Sequence, residues 1–140
     1  MDTLTPEQRS LNMSKIRSKN TTPEITVRSL LHSLGLRFRL HRKDLAGRPD
    51  VVLPKYRIAL FVHGCFWHRH QGCRQATTPK TRTEFWLHKF EQNVLRDKAV
   101  RSQLEDQGWR VVIVWECEAR DLHALKSRLQ SSILGNSPNN

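Results

Sequence analysis

Any fold of this chain has to accommodate one stretch, Val62-His63-Gly64-Cys65-Phe66-Trp67-His68-Arg69-His70-Gln71-Gly72-Cys73. Twelve residues carry two cysteines, three histidines and two large aromatics. Cys65-x4-His70-x2-Cys73 has the close spacing of a tetrahedral zinc site short of one ligand. Cys117 is the only cysteine elsewhere and supplies a fourth donor. Four protein ligands fill a tetrahedron, so such a site is structural and pins the loop to a distant segment. Spacing alone leaves His63 and His68 as rivals to His70. Buried free cysteines with surface histidines are the plainer alternative.

Three cysteines cannot all pair, and nothing resembles a signal peptide or a transmembrane run. The expectation is a soluble protein of a reducing compartment, whose thiols hold metal rather than disulfides. With 24 Lys and Arg against 13 Asp and Glu, the formal charge is +11, a standing attraction for polyanions and above all nucleic acid. A merely solvated basic surface is the competing explanation. At 140 residues one domain is the simplest organisation.

Thr5-Pro6-Glu7-Gln8 predicts a helix start, continuing through Leu11, Met13 and Ile16 among basic residues: a basic helical arm over residues 1–20. Thr21-Thr22-Pro23-Glu24 repeats the signal, and the helix stops at Gly35. Glu24 suits a capping role in the first turn. Strands are expected over Leu36 to Leu40, Val51 to Leu53, Tyr56 to Val62 and Trp109 to Trp115. The Thr81-x-x-Glu84 capping box opens a long helix to about Gln107, with Leu87, Phe90, Val94 and Leu104 on one buried face. Asp97 and Arg101 fall on that stripe. Asp121 caps a last amphipathic helix closed by Gly135, and residues 136–140 read as a disordered tail. The order α-α-β-β-β-(loop)-α-β-α predicts an α/β, α+β-like mixed central sheet flanked by helices.

Asp50 follows Pro49 at the mouth of a buried hairpin, where a lone carboxylate is costly. A metal ion, an Asx turn or a pairing with Arg48 each answers that cost. A hard carboxylate suits Mg²⁺, and His63 or His68 could deprotonate a water while Asp97 holds the histidine in its tautomer. That set describes metal-assisted phosphodiester hydrolysis. Phe66 and Trp67, rigidly held beside histidine and arginine, suit a wedge between base steps, with Trp86 as a third member.

Gly47-Arg48-Pro49-Asp50, His63-Gly64-Cys65-Phe66-Trp67-His68, Thr81-Arg82-Thr83-Glu84-Phe85-Trp86-Leu87, Gly108-Trp109-Arg110-Val111 and Ile113-Val114-Trp115-Glu116-Cys117 together resemble the motifs of very short patch repair (Vsr) endonucleases. The likeness runs from about Ser10 to Asp121. It implies a fold related to type II restriction endonucleases with a structural zinc site, residues 21–135 forming the endonuclease domain. It implies Mg²⁺-dependent nicking of double-stranded DNA 5′ to the T of a T:G mismatch, as left by deamination of 5-methylcytosine. The partners it implies are that mismatched duplex, a cytosine-5 DNA methyltransferase acting on the same sequence, and general mismatch-repair proteins. A monomer in the bacterial cytoplasm, associated with the nucleoid, is the matching expectation.

Carried over by residue, the resemblance makes Asp50 the main Mg²⁺ ligand, joined by the backbone carbonyl of Val62. His68 becomes the catalytic histidine with Asp97 as its acidic partner, and His63 and Glu24 become further active-site positions that arrange metal-bound waters. Cys65, His70, Cys73 and Cys117 become the zinc ligands. Phe66, Trp67, Trp86 and Met13 become the side chains inserted beside the mismatch. Two departures stand out. No Asp/Glu-x-Lys triplet follows Asp50, as restriction endonucleases would have, and His70-Gln71-Gly72-Cys73 carries one residue more than the family pattern. The competing functions are a zinc-stabilised DNA-binding module without catalysis, and a nuclease of the same fold with another specificity.

Overall fold

The computed structural model describes residues 21–135, so the arm over residues 1–20, Met13 included, and the tail over residues 136–140 lie outside the described residues. Four strands form one mixed sheet in the order β1 (Arg39–Leu40), β2 (Val51–Leu53), β3 (Ile58–His63), β4 (Arg110–Trp115). The first two pairings are antiparallel and β3–β4 is parallel. A parallel neighbour needs a crossover, and here it is the 64–82 loop followed by α2 (Thr83–Asp106). Helices α1 (Thr22–Ser33) and α3 (Leu122–Gln130) complete the fold.

Alternation along β3 divides the core between two faces. Ile58 and Leu60 pack with Val27 and Leu31 of α1 and Leu125 and Leu129 of α3. Ala59 and Phe61 face the other way, toward Leu104 of α2 and Trp109. Full burial of each such Leu or Val contributes roughly 1.5–3 kcal/mol, so the sheet is fixed from both sides. By the same alternation His63 emerges on the α2 side, at the strand's C-terminal end.

The expected architecture is found; several local readings are not. The first strand shrinks to Arg39–Leu40, because only these two residues pair with the short β2, and His41 (φ 47°) ends it where expected. Pro54–Tyr56 forms a 3₁₀ turn and Arg57 (φ 55°) reverses the chain, so β3 begins at Ile58 instead of Tyr56. The Thr81–Glu84 capping box does not form. Arg82 occupies the N-cap in a left-handed conformation (φ 54°), which lacks the extended backbone such a cap needs, and Thr83 Oγ1 instead donates to the carbonyls of Pro79 and Lys80. The inward stripe of α2 is Trp86, Phe90, Asn93, Asp97, Val100 and Leu104, at helical i+3/i+4 spacing. Leu87 is 52% exposed, and Arg101 is exposed and pairs with Glu105. The apolar pattern misplaced this face because two of its six positions are polar. Asp97 does lie on it.

Candidate active site and thiolate cluster

Parallel pairing sets His63 opposite Trp115, and Cys65 and Cys117 each lie two residues further along. Register therefore brings the two cysteines together at the carboxyl ends of adjacent strands. His70 Nδ1 sits 3.6 Å from Cys65 Sγ and 3.5 Å from Cys117 Sγ, and the donor atoms of Cys65, His70, Cys73 and Cys117 all fall within 4.8 Å of one another. Bonds of about 2.3 Å to sulfur and about 2.05 Å to nitrogen at a tetrahedral angle would set such donors about 3.5 Å apart. The four residues thus fit a zinc ion, and the group can hold a metal. Its thiols are poorly served without one: burial pushes Cys65 up to about 12 and raises Cys117, whereas the backbone N–H of Gln75 holds Cys73 below the usual thiol range.

His63 and His68 are excluded from this group; both belong to the neighbouring cleft. The additional residue before Cys73 is taken up by a tight turn. Gly72 adopts φ 73°, and Cys73 N–H donates to the His70 carbonyl at 3.3 Å. His70 stacks on Trp115 (centroids 4.3 Å apart, planes 10° apart), which orients its ring. Two residues not foreseen from the sequence hold the loop. Arg69 donates to the carbonyls of Phe66, Ala76 and Thr77 and to Thr78 Oγ1, and the Glu116 carboxylate accepts from Cys65 N–H at 3.0 Å.

On the other side of the β3 end lies a cleft of about 880 Å³ lined by Glu24, Asp50, Val62, His63, His68 and Asp97, among others. Asp50 precedes β2, and its Oδ2 accepts the Val62 N–H at 2.7 Å. In an extended strand one residue's N–H and C=O face the same neighbour, so the Val62 carbonyl is presented toward this edge as well. Burial, together with the nearby Glu24 charge, pushes the Asp50 carboxyl up to about 6, against the opposing Val62 hydrogen bond. An acid so placed favours a cation beside it.

Glu24 has two occupations. It completes the expected capping box with Thr21, and its other oxygen lies 3.1 Å from His41 Nε2 and 3.5 Å from Arg28. His68 Nδ1 donates to Asp97 Oδ2 at 2.7 Å. The His63 ring stacks on His68 (3.8 Å, 8°), and burial, then the His68 charge, lowers it to about 4, so it stays neutral. Asn93 donates to the Trp67 carbonyl at 3.2 Å and ties α2 to the loop.

Phe66, Trp67 and Trp86 come together, with centroid separations of 5.0, 5.6 and 5.8 Å, over Phe90. All three are half-buried and none projects singly: Phe66 meets both tryptophans edge to face, the two tryptophans are tilted at 51°, and Phe66 and Trp67 line the cleft. The cleft thus gathers Glu24, Asp50, His63, His68 and Asp97. His41, Asn93 and Glu116 were missed: the partner of each lies far along the chain, and Glu116 drew no role of its own although it sits within the Ile113–Cys117 motif.

Residues 1–75 match the family described as DNA mismatch endonuclease Vsr. Over 130 residues the chain is 56% identical to the type II nicking enzyme V.XorIIP of Xanthomonas oryzae pv. oryzae, covering 93% of this chain and 95% of that one. Over 132 residues it is 47% identical to the DNA mismatch endonuclease Vsr of Escherichia coli, covering 91% and 84%. Among solved structures it resembles the catalytic domain of the homing endonuclease I-Bth0305I, with TM-score 0.56 and 24% identity over 80% of this chain and 93% of that one, a likeness of fold alone. Among the described residues no helix is long and apolar enough to cross a membrane.

Proposed function

This chain belongs to the Vsr family of DNA mismatch endonucleases, and we propose that it nicks double-stranded DNA 5′ to the T of a T:G mismatch by Mg²⁺-dependent phosphodiester hydrolysis. The observation that carries the reading is the His68–Asp97 pair at 2.7 Å in the same cleft as Asp50. A passive DNA-binding module has no use for it.

Asp97 takes the Nδ1–H of His68, which leaves the Nε2 lone pair as the base for an attacking water. A placed base is typically worth 10²–10⁴-fold. His63, neutral and stacked beneath, holds the His68 ring plane without adding charge. Asp50 and the Val62 carbonyl would hold Mg²⁺, which when bound offsets phosphate charge and makes water a better acid. Glu24 lies close enough to Asp50 to raise it, a pairing that a divalent cation relieves. Cys65, His70, Cys73 and Cys117 would hold Zn²⁺ and so fix the loop bearing Phe66, Trp67 and His68.

In this reading Phe66, Trp67 and Trp86 leave their mutual packing to insert beside the mismatch, joined by Met13 from the arm. Exchange of edge-to-face contacts for base stacking offsets unstacking of roughly a few kcal/mol per step. The chain would act as a monomer in the cytoplasm, at sites of a cytosine-5 methyltransferase and alongside general mismatch-repair proteins. The test is strand-resolved cleavage of end-labelled duplexes differing in a single T:G or T:A pair, across several candidate methyltransferase sequences, with and without Mg²⁺. A Mg²⁺-dependent nick beside the mismatched T supports the proposal. Equal cutting of the paired duplex would overturn the mismatch specificity, and tight binding without cutting would overturn the catalysis.

A further inference from the structure

We infer that His41 is a third donor to the cation cleft. Its imidazole, with the Glu24 and Asp50 carboxylates, makes a mixed nitrogen–oxygen site that prefers Mn²⁺ to Mg²⁺. The inference rests on the reading of Asp50 as a cation ligand and adds to it a residue with no place in the set that the family resemblance implies.

The placement begins in the sheet. Leu40 pairs with Val51, so the next antiparallel pair would be His41 with Asp50. That contact survives as the His41 N–H donating to the Asp50 carbonyl at 3.3 Å. His41 nevertheless leaves the strand through φ 47°, a conformation that a residue other than glycine adopts uncommonly. The ring comes to lie against Glu24 and Asp50 at the edge of the cleft, with Nε2 3.1 Å from Glu24 Oε1.

Glu24 is 5% exposed, anchored on its other oxygen by Thr21 at 3.0 Å, so it cannot swing away to meet water. One donor atom from each of Glu24, His41 and Asp50 falls within 4.8 Å of the other two. Three elements that are distant in sequence, namely the first turn of α1, the end of β1 and the start of β2, converge on one point. A charge-assisted contact between His41 and Glu24 alone would explain the 3.1 Å distance. It would leave Asp50, held by the Val62 N–H, as a second carboxylate in the same buried corner.

A divalent cation answers both carboxylates, and the imidazole decides which one. Mg²⁺ takes oxygen ligands almost exclusively, whereas first-row transition ions accept imidazole readily and Mn²⁺ tolerates carboxylates as well. Removal of one tuning contact at a metal site typically costs 10–100-fold in affinity.

The experiment uses the full chain, loaded with one equivalent of Zn²⁺, cleared of excess and free of DNA, titrated with Mn²⁺ by electron paramagnetic resonance and competed with Mg²⁺. The native chain should show nitrogen coupling to bound Mn²⁺ in pulsed spectra and need at least about tenfold excess Mg²⁺ for displacement. His41→Gln should lose the coupling and bind Mn²⁺ about tenfold more weakly, while Mg²⁺ affinity stays within about twofold. Retained Mg²⁺ affinity shows that the variant's cleft is folded. Coupling that persists in His41→Gln, or an unchanged preference between the two ions, overturns the role of His41. Asp50→Asn separates the two readings: Mn²⁺ binding untouched by it would instead overturn Asp50 as the ligand, and with it the proposed metal chemistry.

Discussion

The thiolate cluster and the acidic cleft both hang from the C-terminal end of β3, yet their polar groups are satisfied in opposite ways. Cys65, His70, Cys73 and Cys117 face chiefly one another, three thiols and a ring nitrogen within 4.8 Å, with burial holding two of the thiols protonated. In the cleft most donors already have a protein partner: Asp50 the Val62 N–H, Glu24 the Thr21 hydroxyl, His68 the Asp97 carboxylate. On the proposed reading, one region takes an ion to hold it together, whereas the other has its polar groups paired before any ion arrives. A scaffold ion and a working ion are told apart by that difference, since preorganised groups need no rearrangement when the reaction begins.

The largest effect should follow from breaking the first region. Cys65→Ser should release zinc, loosen residues 64–82 and abolish nicking, because binding energy at such sites is folding energy. Zinc content and thermal melting check it; a variant that keeps its melting temperature would mean the loop stands alone. In the second region Asp50→Asn should reduce nicking by about 10³-fold or more while DNA binding persists, given how much catalysis a metal ligand carries. His68→Ala and Asp97→Asn should each cost about 10²–10³-fold. Both side chains are about a quarter exposed, so neither change should shift melting by more than a few degrees.

Acid titration sharpens the contrast within the cleft. The folded Asp50 carboxyl, near 6 against 3.8 unfolded, penalises the fold above about pH 6 and not below about 3.8. The effect is about 3 kcal/mol at most, at 1.36 kcal/mol per unit. His63, near 4 against 6.5 unfolded, acts in the other direction: its penalty is absent above 6.5 and complete below about 4. In Mg²⁺-free protein the two slopes should nearly cancel. Asp50→Asn should therefore make the chain more acid-labile between pH 6 and 4, and His63→Gln less so, as measured by urea unfolding across that range. The smallest effect is expected at the rim. Trp67→Ala should narrow discrimination between T:G and T:A duplexes by about 1–3 kcal/mol, the worth of one base–aromatic stack; unchanged discrimination would remove the wedge.

The two regions also differed in how openly the sequence announced them. Cysteine is rare and its ligand spacing local, so a metal-binding pattern of Cys65, Cys73 and one histidine was legible within nine residues, with Cys117 as the remaining thiol. Choosing His70 over His63 and His68 by spacing alone was not possible. That choice belongs to the strand, whose alternation sends His63 to the α2 face, and to the stacking of His68 on it. Asp97 was readable as a carboxylate on an inward helix face. The face itself was misjudged, because Trp86 and Asn93 point inward while Leu87 does not. His41 and Arg69 were invisible for a shared reason. Both owe their roles to left-handed backbone (φ 47° and 55°), and nothing in a side chain's identity advertises that.

The division of labour between the two regions is tested most directly by amide hydrogen exchange on the zinc-loaded chain, with Mg²⁺ and zinc withdrawn in turn. Withdrawal of Mg²⁺ should leave the Val62 amide, held by Asp50, as protected as before. Withdrawal of zinc should release the amides of Cys65, His68, His70 and Cys73 while β3 stays protected. A Val62 amide that opens when Mg²⁺ alone is removed, or a loop indifferent to zinc, would contradict the account.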